Sequence, residues 1–408
     1  MRALHKKLQT AERAFSRLPA VRACRDILGR TARDPEKVLQ FSVRASALCI
    51  IISLVISQNM WFQDHRVLLP TPLFAWAAAL PDGLNGLFYW ALLGINGFLL
   101  IAPQYRRAGL AAIPIYVFLV LQDAVRWQFY LYMQFFNLLA AGMAPRKVTE
   151  AHLDPMRYML IGVYFWSGVY KLNPYFIKTL FPWFVSAWFP FADVARVIGV
   201  GVPFLEAGIA VFLLAPRTRP LGQLLATGML IVVMLSLGPT GLNRDNFVWP
   251  ANFYMDALAI LLFMDRRRLL WKPAQLKAPA SALALLLFVA SPGLGITNTL
   301  GHHQSFKLFC CLHHTHMAGT DAQLNDRLVA DTGLRLRLNI TVYPVWQTAA
   351  PYVSGVTGVC PYLSHPENAK MEVFDDAFPF WSDRAEKLVY GDICSGHPRL
   401  LSREVLKP

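Results

Sequence analysis

Charged residues are scarce in this chain: they make up 16% of its 408 residues, against roughly 25% in ordinary soluble domains. Hydrophobic residues make up 55%, and the mean hydropathy is +0.38. This composition indicates a polytopic membrane protein instead of a soluble one. The net charge of +14 does not indicate nucleic-acid binding, because the basic residues lie in the short gaps between apolar stretches and form no single patch.

The first 40 residues lack the short apolar core and the small-residue cleavage site of a signal peptide. They are basic instead, and residues 11–30 have the pattern of an amphipathic helix that lies on anionic lipid. We therefore expect residues 1–40 to form a basic cytoplasmic tail. The apolar stretch that follows is then an uncleaved signal anchor.

Apolar windows of membrane length dominate the next part of the chain. They lie near 42–62, 86–104, 108–125, 127–145, 156–172, 197–215, 220–239, 247–264 and 278–297. Basic clusters between them alternate with nearly uncharged loops, and the positive-inside rule places the basic side in the cytoplasm. We predict an all-α polytopic helix bundle of about nine transmembrane helices over residues 41–297. Its expected location is a bacterial inner (plasma) membrane, with the N-terminus in the cytoplasm and the C-terminal segment exported.

Residues 298–408 form the polar part of the chain, where short alternating runs and turn residues predict a small β-rich exported domain. The candidate disulfide cysteines all lie there: Cys310, Cys311, Cys360 and Cys394. An oxidising compartment would allow two disulfides. Because Cys310 and Cys311 are adjacent, each is expected to pair with one of the two distant cysteines, and both connectivities remain open.

A histidine-rich run, HHQSFKLFCCLHHTHM, surrounds Cys310 and Cys311 and raises the question of a metal site. Zinc ligands usually come in closely spaced pairs from separated clusters, and disulfide formation would remove the thiolates. We therefore expect no metal here and interpret these histidines as solvated or interfacial.

Lys171 stands out among the apolar windows, because a charged side chain at the centre of a membrane helix costs about 2.5–3.5 kcal/mol. One interpretation is that Lys171 anchors a helix end among lipid headgroups. The other is functional, since Tyr164, Ser167 and Gly168 precede it at helical spacing. These residues form a face of polar and small side chains, which is typical of a surface turned toward protein or ligand.

Two carboxylates, Glu206 and Asp256, also lie within apolar windows. A structural ion pair with Lys171 would lower the cost of inserting both partners. Alternatively, burial leaves Lys171 neutral and able to accept a proton from a substrate, with Glu206 or Asp256 adjusting the amine. Trp249 lies in a polar and aromatic segment just before Asp256 and is a candidate contact for a ligand headgroup.

The segment YFWSGVYKLNPYF, residues 164–176, resembles the motif YF-x-x-G-x-x-KL of the transmembrane domain of vitamin K-dependent gamma-carboxylases. The horizontally transferred transmembrane (HTTM) family shares that domain. Lys171 matches the lysine of the motif, and the matching neighbours are Tyr164, Phe165, Gly168 and Leu172. Upstream, LQDAVRWQFYLY is similar to the family's Asp-x-x-x-Trp pattern through Asp123 and Trp127. The resemblance implies that Lys171 deprotonates a quinol, and it makes a vitamin K-type quinone or quinol the candidate cofactor.

Two departures from the carboxylase pattern argue against protein carboxylation: the predicted spans contain no histidine, and the exported segment is short. Our main hypothesis is a quinol-handling membrane protein with an intramembrane lysine base. If it is an enzyme, it would be a quinol-dependent oxidoreductase or a carboxylase-like lyase. The alternative is a non-catalytic membrane protein that binds or translocates a lipid or amphiphile, or that scaffolds an export complex. Expected partners are membrane lipids, a quinone, and a peptide or redox protein on the exported side.

Overall fold

The computed structural model describes residues 31, 33–58, 61–62, 76–77, 83–123, 126–174, 176–238, 240–241, 248–264, 278–297, 315–318, 370–375, 385–391 and 399–406. Helices dominate this part of the chain. The α-helices are α1 Pro35–Ile56, α2 Gly83–Ile101, α3 Gly109–Gln122, α4 Phe129–Met143, α5 Asp154–Tyr170, α6 Phe181–Val185, α7 Ala192–Leu214, α8 Arg219–Leu237, α9 Val248–Phe263 and α10 Pro279–Ala284. Shorter helical turns lie at Pro103–Ala108, Glu150–Leu153, Phe176–Leu180, Leu285–Ala290 and Ser291–Thr297.

Four of the described helices, α1, α2, α7 and α8, are long and apolar enough to cross a membrane. Shorter apolar helical segments lie at Phe176–Val185, Trp249–Phe263 and Pro279–Leu294. The prediction of a helical membrane protein is therefore confirmed at this level. The prediction of nine spans is not, because the other described helices have 17 residues or fewer and a bilayer needs about 20.

Helix α1 begins where local capping and packing both favour it. The Asp34 carboxylate accepts hydrogen bonds from the backbone N–H groups of Glu36 (3.1 Å) and Lys37 (3.4 Å), which would otherwise lack partners. Further along α1, the Asn137 amide of α4 donates to the Ser42 carbonyl (3.1 Å) and to the Ser46 hydroxyl (2.6 Å). Hydrogen bonds are directional, whereas contacts between apolar side chains are not. These bonds therefore fix the position of α4 against α1.

Helix α5 does not continue through Lys171. It ends at Tyr170, and after the turn that follows the chain resumes as the helical turn Phe176–Leu180 and then α6. Pro174 disfavours a helical conformation for the residue before it and has no N–H to donate. The buried Asn173 side chain bridges the two sides of this break. Its Nδ2 donates to the Tyr170 carbonyl and its Oδ1 accepts from the Phe176 N–H, both at 2.8 Å.

In residues 298–408 the structure describes four short strands: β1 Thr315–Ala318, β2 Lys370–Asp375, β3 Ala385–Gly391 and β4 Arg399–Leu406. They form an antiparallel sheet in the order β1-β2-β3-β4, with an irregularity between Val389 and Tyr390. These strands alone do not show a complete β-rich domain. The four candidate disulfide cysteines, Cys310, Cys311, Cys360 and Cys394, lie outside the described residues, so their pairing stays a prediction.

Candidate intramembrane site

Helices α5 and α7 make their closest approach at Gly168. A Cβ atom on Gly168 would lie 2.4 Å from the Ala207 backbone nitrogen and 2.7 Å from the Pro203 carbonyl oxygen. Those distances are too short for any side chain, so glycine is what allows the two backbones to touch. The contact fixes the C-terminal end of α5 against α7, and the Gly168 face is occupied by α7 instead of being open to a ligand.

Lys171 consequently lies beside the middle of a membrane-length helix. Pro203 is the twelfth of the 23 residues of α7, which puts it about 17 Å along a helix about 35 Å long. Closer to the start of α7, a Cβ on Gly199 would lie 3.1 Å from the Phe181 ring of α6. Thus α6 continues along α7 where α5 stops. The sequence suggested that Lys171 lies where its helix leaves the bilayer, but the structure has it at a break within a longer helical path.

The Lys171 amine is held by two side chains and one backbone carbonyl. Its Nζ donates to Glu206 Oε2 at 2.7 Å, to Ser167 Oγ at 2.6 Å and to the Ser167 carbonyl at 3.3 Å. The side chains of Lys171 and Glu206 are 12% and 8% exposed, so the pair is nearly but not fully enclosed. Of the two candidate carboxylates, Glu206 is the ion-pair partner of Lys171. Three contacts match the three N–H donors of an ammonium group.

Tyr164 lies deeper on the same face of α5. Its side chain is 1% exposed, and within the described part of the chain its hydroxyl has no hydrogen-bond partner. The phenol is within electrostatic range of both Glu206 and Asp256.

Asp256 does not pair with Lys171 in this structure. Its Oδ1 instead accepts a hydrogen bond from the Thr227 hydroxyl at 2.5 Å, which joins α9 to α8. Thr227 did not emerge from the sequence, because one threonine in an apolar helix is common and carries no motif. Thr227 lies about one helical turn after Gln223, and this spacing of two polar side chains on α8 is the signal in the sequence that could have identified it. The Gln223 amide also contacts α9, because it donates to the Ala259 and Ile260 carbonyls.

Trp249 lies apart from this cluster. It occupies the first turn of α9, is 37% exposed, and has its indole nitrogen against Gly238 at the end of α8. Among the described contacts none joins Trp249 to Lys171. Its predicted role as a contact for a ligand headgroup stays a prediction.

A separate buried network surrounds Arg126, a residue that the sequence analysis did not single out. Its guanidinium donates to Asn85 Oδ1 (2.9 Å), lies 5.3 Å from the Trp61 ring centroid and is 3.8 Å from an Asp123 carboxylate oxygen. Arg126 and Asp123 are both fully buried. Asp123 thus belongs to a network that ties α3 to α2, and the described contacts do not connect it to the lysine site.

The described residues contain no group of three or more histidine, cysteine, aspartate or glutamate side chains placed to hold an ion. Apart from its last three residues, Thr315, His316 and Met317 in β1, the histidine-rich run lies outside them. What the lysine cluster offers is a cation and an anion side by side, next to unwound backbone. Such a site can join helices, or it can hold a polar group of either charge.

A comparison with protein families corrects the resemblance drawn from the sequence. The matching family model is that of methylamine utilisation protein MauE, over residues 147–245. This segment includes α5 to α8 and both members of the ion pair. MauE is a different membrane family from HTTM, and no HTTM model matches, so the HTTM and gamma-carboxylase assignment is wrong. No curated protein and no solved structure matches the chain. The chain is thus an integral membrane protein similar to MauE over α5 to α8.

Proposed function

We propose that this chain is a non-catalytic membrane protein that binds a lipid or another amphiphile at the break after α5. One observation carries the proposal: the Lys171–Glu206 pair lies at a discontinuity in a helical path, beside the middle of α7. Unwound backbone at membrane depth is tolerated where it is buried in protein or lines a cavity. Discontinuous helices form the ligand sites of many membrane transporters.

The contacts of Lys171 argue against its use as a base. A base must offer a free lone pair to a substrate proton, whereas the Lys171 amine is already bound to the Glu206 carboxylate at 2.7 Å. The Ser167 hydroxyl and carbonyl take up the remaining donors. The structure thus supports the non-catalytic alternative better than quinol chemistry.

The surroundings of Glu206 suit an amphiphile. Phe204 and Leu205, its neighbours on α7, are 64% and 40% exposed, so apolar surface adjoins the charged pair. A polar headgroup would exchange hydrogen bonds with Lys171 or Glu206, while its hydrocarbon chain lies on the outer face of α7. Lys171 and Glu206 each keep a small exposed fraction of their side chains, which supports access by a headgroup.

The proposal includes the domain organisation and orientation predicted from the sequence. Residues 1–40 form a cytoplasmic tail, residues 41–297 a membrane domain of about nine spans, and residues 298–408 an exported domain with disulfides. The location is the inner membrane of a bacterium. The MauE match supports the membrane assignment, and the basic clusters between apolar windows support the orientation.

A charge reversal separates ligand binding from a purely structural ion pair. We expect Lys171→Gln and Glu206→Gln each to lower the melting temperature in detergent and to lose co-purifying amphiphile in native mass spectrometry from nanodiscs. The double variant Lys171→Glu with Glu206→Lys restores an ion pair. It should recover stability but not the original headgroup preference, because the two charges have changed places.

The matched control is Asp193→Asn, which breaks an exposed ion pair with Arg196 on the same helix α7. It should change neither stability nor bound amphiphile, since exposed pairs contribute little. If the charge-reversed double variant recovered both stability and headgroup preference in full, the Lys171–Glu206 pair would be a structural ion pair only, and the ligand-binding proposal would be wrong.

Quinol turnover is the second test, because a quinone remains the candidate cofactor of the rival hypothesis. With menaquinol or vitamin K hydroquinone in nanodiscs, we expect oxygen uptake no higher than in empty nanodiscs. Turnover that is present in the wild type and lost in Lys171→Arg, which keeps the charge but cannot act as a neutral base, would overturn the non-catalytic proposal.

A further inference from the structure

Three carboxamide side chains are fully buried among helices α1 to α4: Asn96 of α2, and Gln134 and Asn137 of α4. Part of each amide is already bonded or left over. Asn96 Nδ2 donates to the Leu92 carbonyl at 2.8 Å, and Asn137 Nδ2 donates to the Ser46 hydroxyl at 2.6 Å. Within the described part of the chain, four polar atoms of these amides have no hydrogen-bond partner: Asn96 Oδ1, Gln134 Oε1, Gln134 Nε2 and Asn137 Oδ1.

Helices α2 and α4 run in the same direction, because both are antiparallel to α1. Residues near the start of α1 contact the ends of α2 and α4, and residues near its end contact their beginnings. The contacts are Arg44 Nε to the Leu100 carbonyl (3.3 Å) and the Tyr89 hydroxyl to the Leu54 carbonyl (3.2 Å) for α2, and Asn137 Nδ2 to the Ser42 carbonyl (3.1 Å) and Arg126 Nη2 to the Trp61 carbonyl (3.3 Å) for α4.

Gly109 of α3 aligns the heights of α2 and α4. A Cβ atom on Gly109 would lie 3.4 Å from the Leu99 side chain and 3.4 Å from the Leu138 side chain, so the two leucines lie at about the same level. Asn96 precedes Leu99 by three residues, and Gln134 precedes Leu138 by four. Each step is about one helical turn along the same face. Asn96 and Gln134 therefore lie at one level, a turn away from the leucine contact.

Asn137 follows Gln134 by three residues and shares its face of α4, so the three amides lie close together. Buried polar atoms are bonded to protein or to ordered water in nearly every folded protein. These amides carry no charge, which favours a neutral ligand over an ion. Three oxygens call for three O–H donors, more than one water molecule has, and Gln134 Nε2 needs an acceptor. Water supplies both kinds of group, and a buried water molecule typically makes about three hydrogen bonds.

We propose that helices α1 to α4 enclose an internal hydration site, in which at least two ordered water molecules join Asn96 of α2 to Gln134 and Asn137 of α4. The water accepts from Gln134 Nε2 and donates to the three free amide oxygens. Because Asn137 also bonds Ser46 of α1, the site links three helices. It is independent of the amphiphile site, since no residue of the helix break after α5 contributes to it.

X-ray radiolysis in lipid nanodiscs tests the proposal, because it forms hydroxyl radicals from bound water in place and these oxidise the side chains beside that water. Leu138→Met introduces an easily oxidised thioether one turn from Gln134 with little change in volume. Leu213→Met is the matched reporter, because Leu213 is fully buried against Gly222 in an apolar contact of α7 with α8. By peptide mass spectrometry, we expect oxidation at position 138 to be several-fold faster than at position 213.

Removal of the amides should slow this oxidation. In the Leu138→Met protein, we expect Gln134→Leu and Asn96→Leu each to lower the rate at position 138 at least twofold. The matched control is Gln40→Leu, since the Gln40 amide donates to Glu36 on α1, away from the site. Misfolding would raise oxidation at both reporters, so it cannot imitate the expected loss. Equal rates at positions 138 and 213, or a rate at position 138 that neither amide substitution changes, would overturn the proposal.

The melting temperature of Gln134→Leu in detergent gives a second readout. At a dry site this substitution would raise the melting temperature, because it removes two buried polar atoms that lack partners. At a hydrated site it lowers the melting temperature, because the water loses two of its partners. We expect the lower value, with a smaller change in Gln40→Leu. A melting temperature above that of the wild type would overturn the proposal.

Discussion

Gly168 decides whether the lysine cluster can form. The Lys171 side chain reaches Glu206 because the backbones of α5 and α7 touch one turn earlier. The sequence did indicate a close-approach position here, since a small residue at helical spacing from a buried charge is typical of an interface between membrane helices. It did not indicate which helix would come close.

We expect Gly168→Ala to destabilise the protein by about 2 kcal/mol or more, because the added methyl group would meet backbone atoms that cannot move aside. The measurement is the free energy of unfolding in mixed detergent micelles. Gly201→Ala is the matched control on α7, where a Cβ would find no atom within 4 Å. It should be neutral or stabilising by up to about 1 kcal/mol, and equal effects of the two substitutions would contradict the close contact.

The partner of Lys171 could not be chosen from the sequence. Glu206 and Asp256 each occupy an apolar window, and nothing in the spacing of residues separates them. The choice depends on tertiary contacts: Gly168 brings α7 against the lysine, whereas Thr227 takes up Asp256. Tyr164 and Ser167, by contrast, could be predicted as neighbours, because residues three, four and seven apart share one face of a helix.

At the scale of elements, the break between α5 and α6 determines the depth of the site. Pro174 follows the end of α5 and disfavours a helical conformation at the residue before it, a signal that our prediction did not use. The sequence does not show whether the apolar residues after the proline run along the membrane surface or back along a neighbouring helix. The packing of Phe181 on Gly199 decides this, and such a contact between distant residues leaves no local pattern.

Asn173 holds this break together, so its removal should destabilise the protein. Asn173→Ala leaves the Tyr170 carbonyl and the Phe176 N–H without their side-chain partners in a buried place, at about 1–3 kcal/mol for each unsatisfied group. We expect a loss of at least about 2 kcal/mol in the free energy of unfolding. Asn173→Asp, which retains an acceptor for Phe176 but no donor for Tyr170, should differ from the alanine variant. Identical values for wild type and Asn173→Ala would show that the amide does not support the break.

At the scale of the whole molecule, composition was enough to predict a helical membrane protein, because only a membrane accommodates so much apolar surface. The described helices also lie within a few residues of most predicted windows. The family was not predictable from thirteen residues around Lys171. Aromatic, glycine and leucine residues recur in many membrane helices, so a short match of this kind does not separate unrelated families, and the MauE match corrects it.

Photolabelling with an amphiphile that carries a diazirine in its headgroup tests the central claim most directly. After illumination in nanodiscs, peptide mass spectrometry locates the labelled residues. We expect labels to concentrate on residues 165–176 and 199–207, and to fall several-fold in Lys171→Gln and Glu206→Gln but not in Asp193→Asn. Labels spread evenly over the exposed faces of α7 and α8, and equal in all four proteins, would contradict an amphiphile site at the helix break.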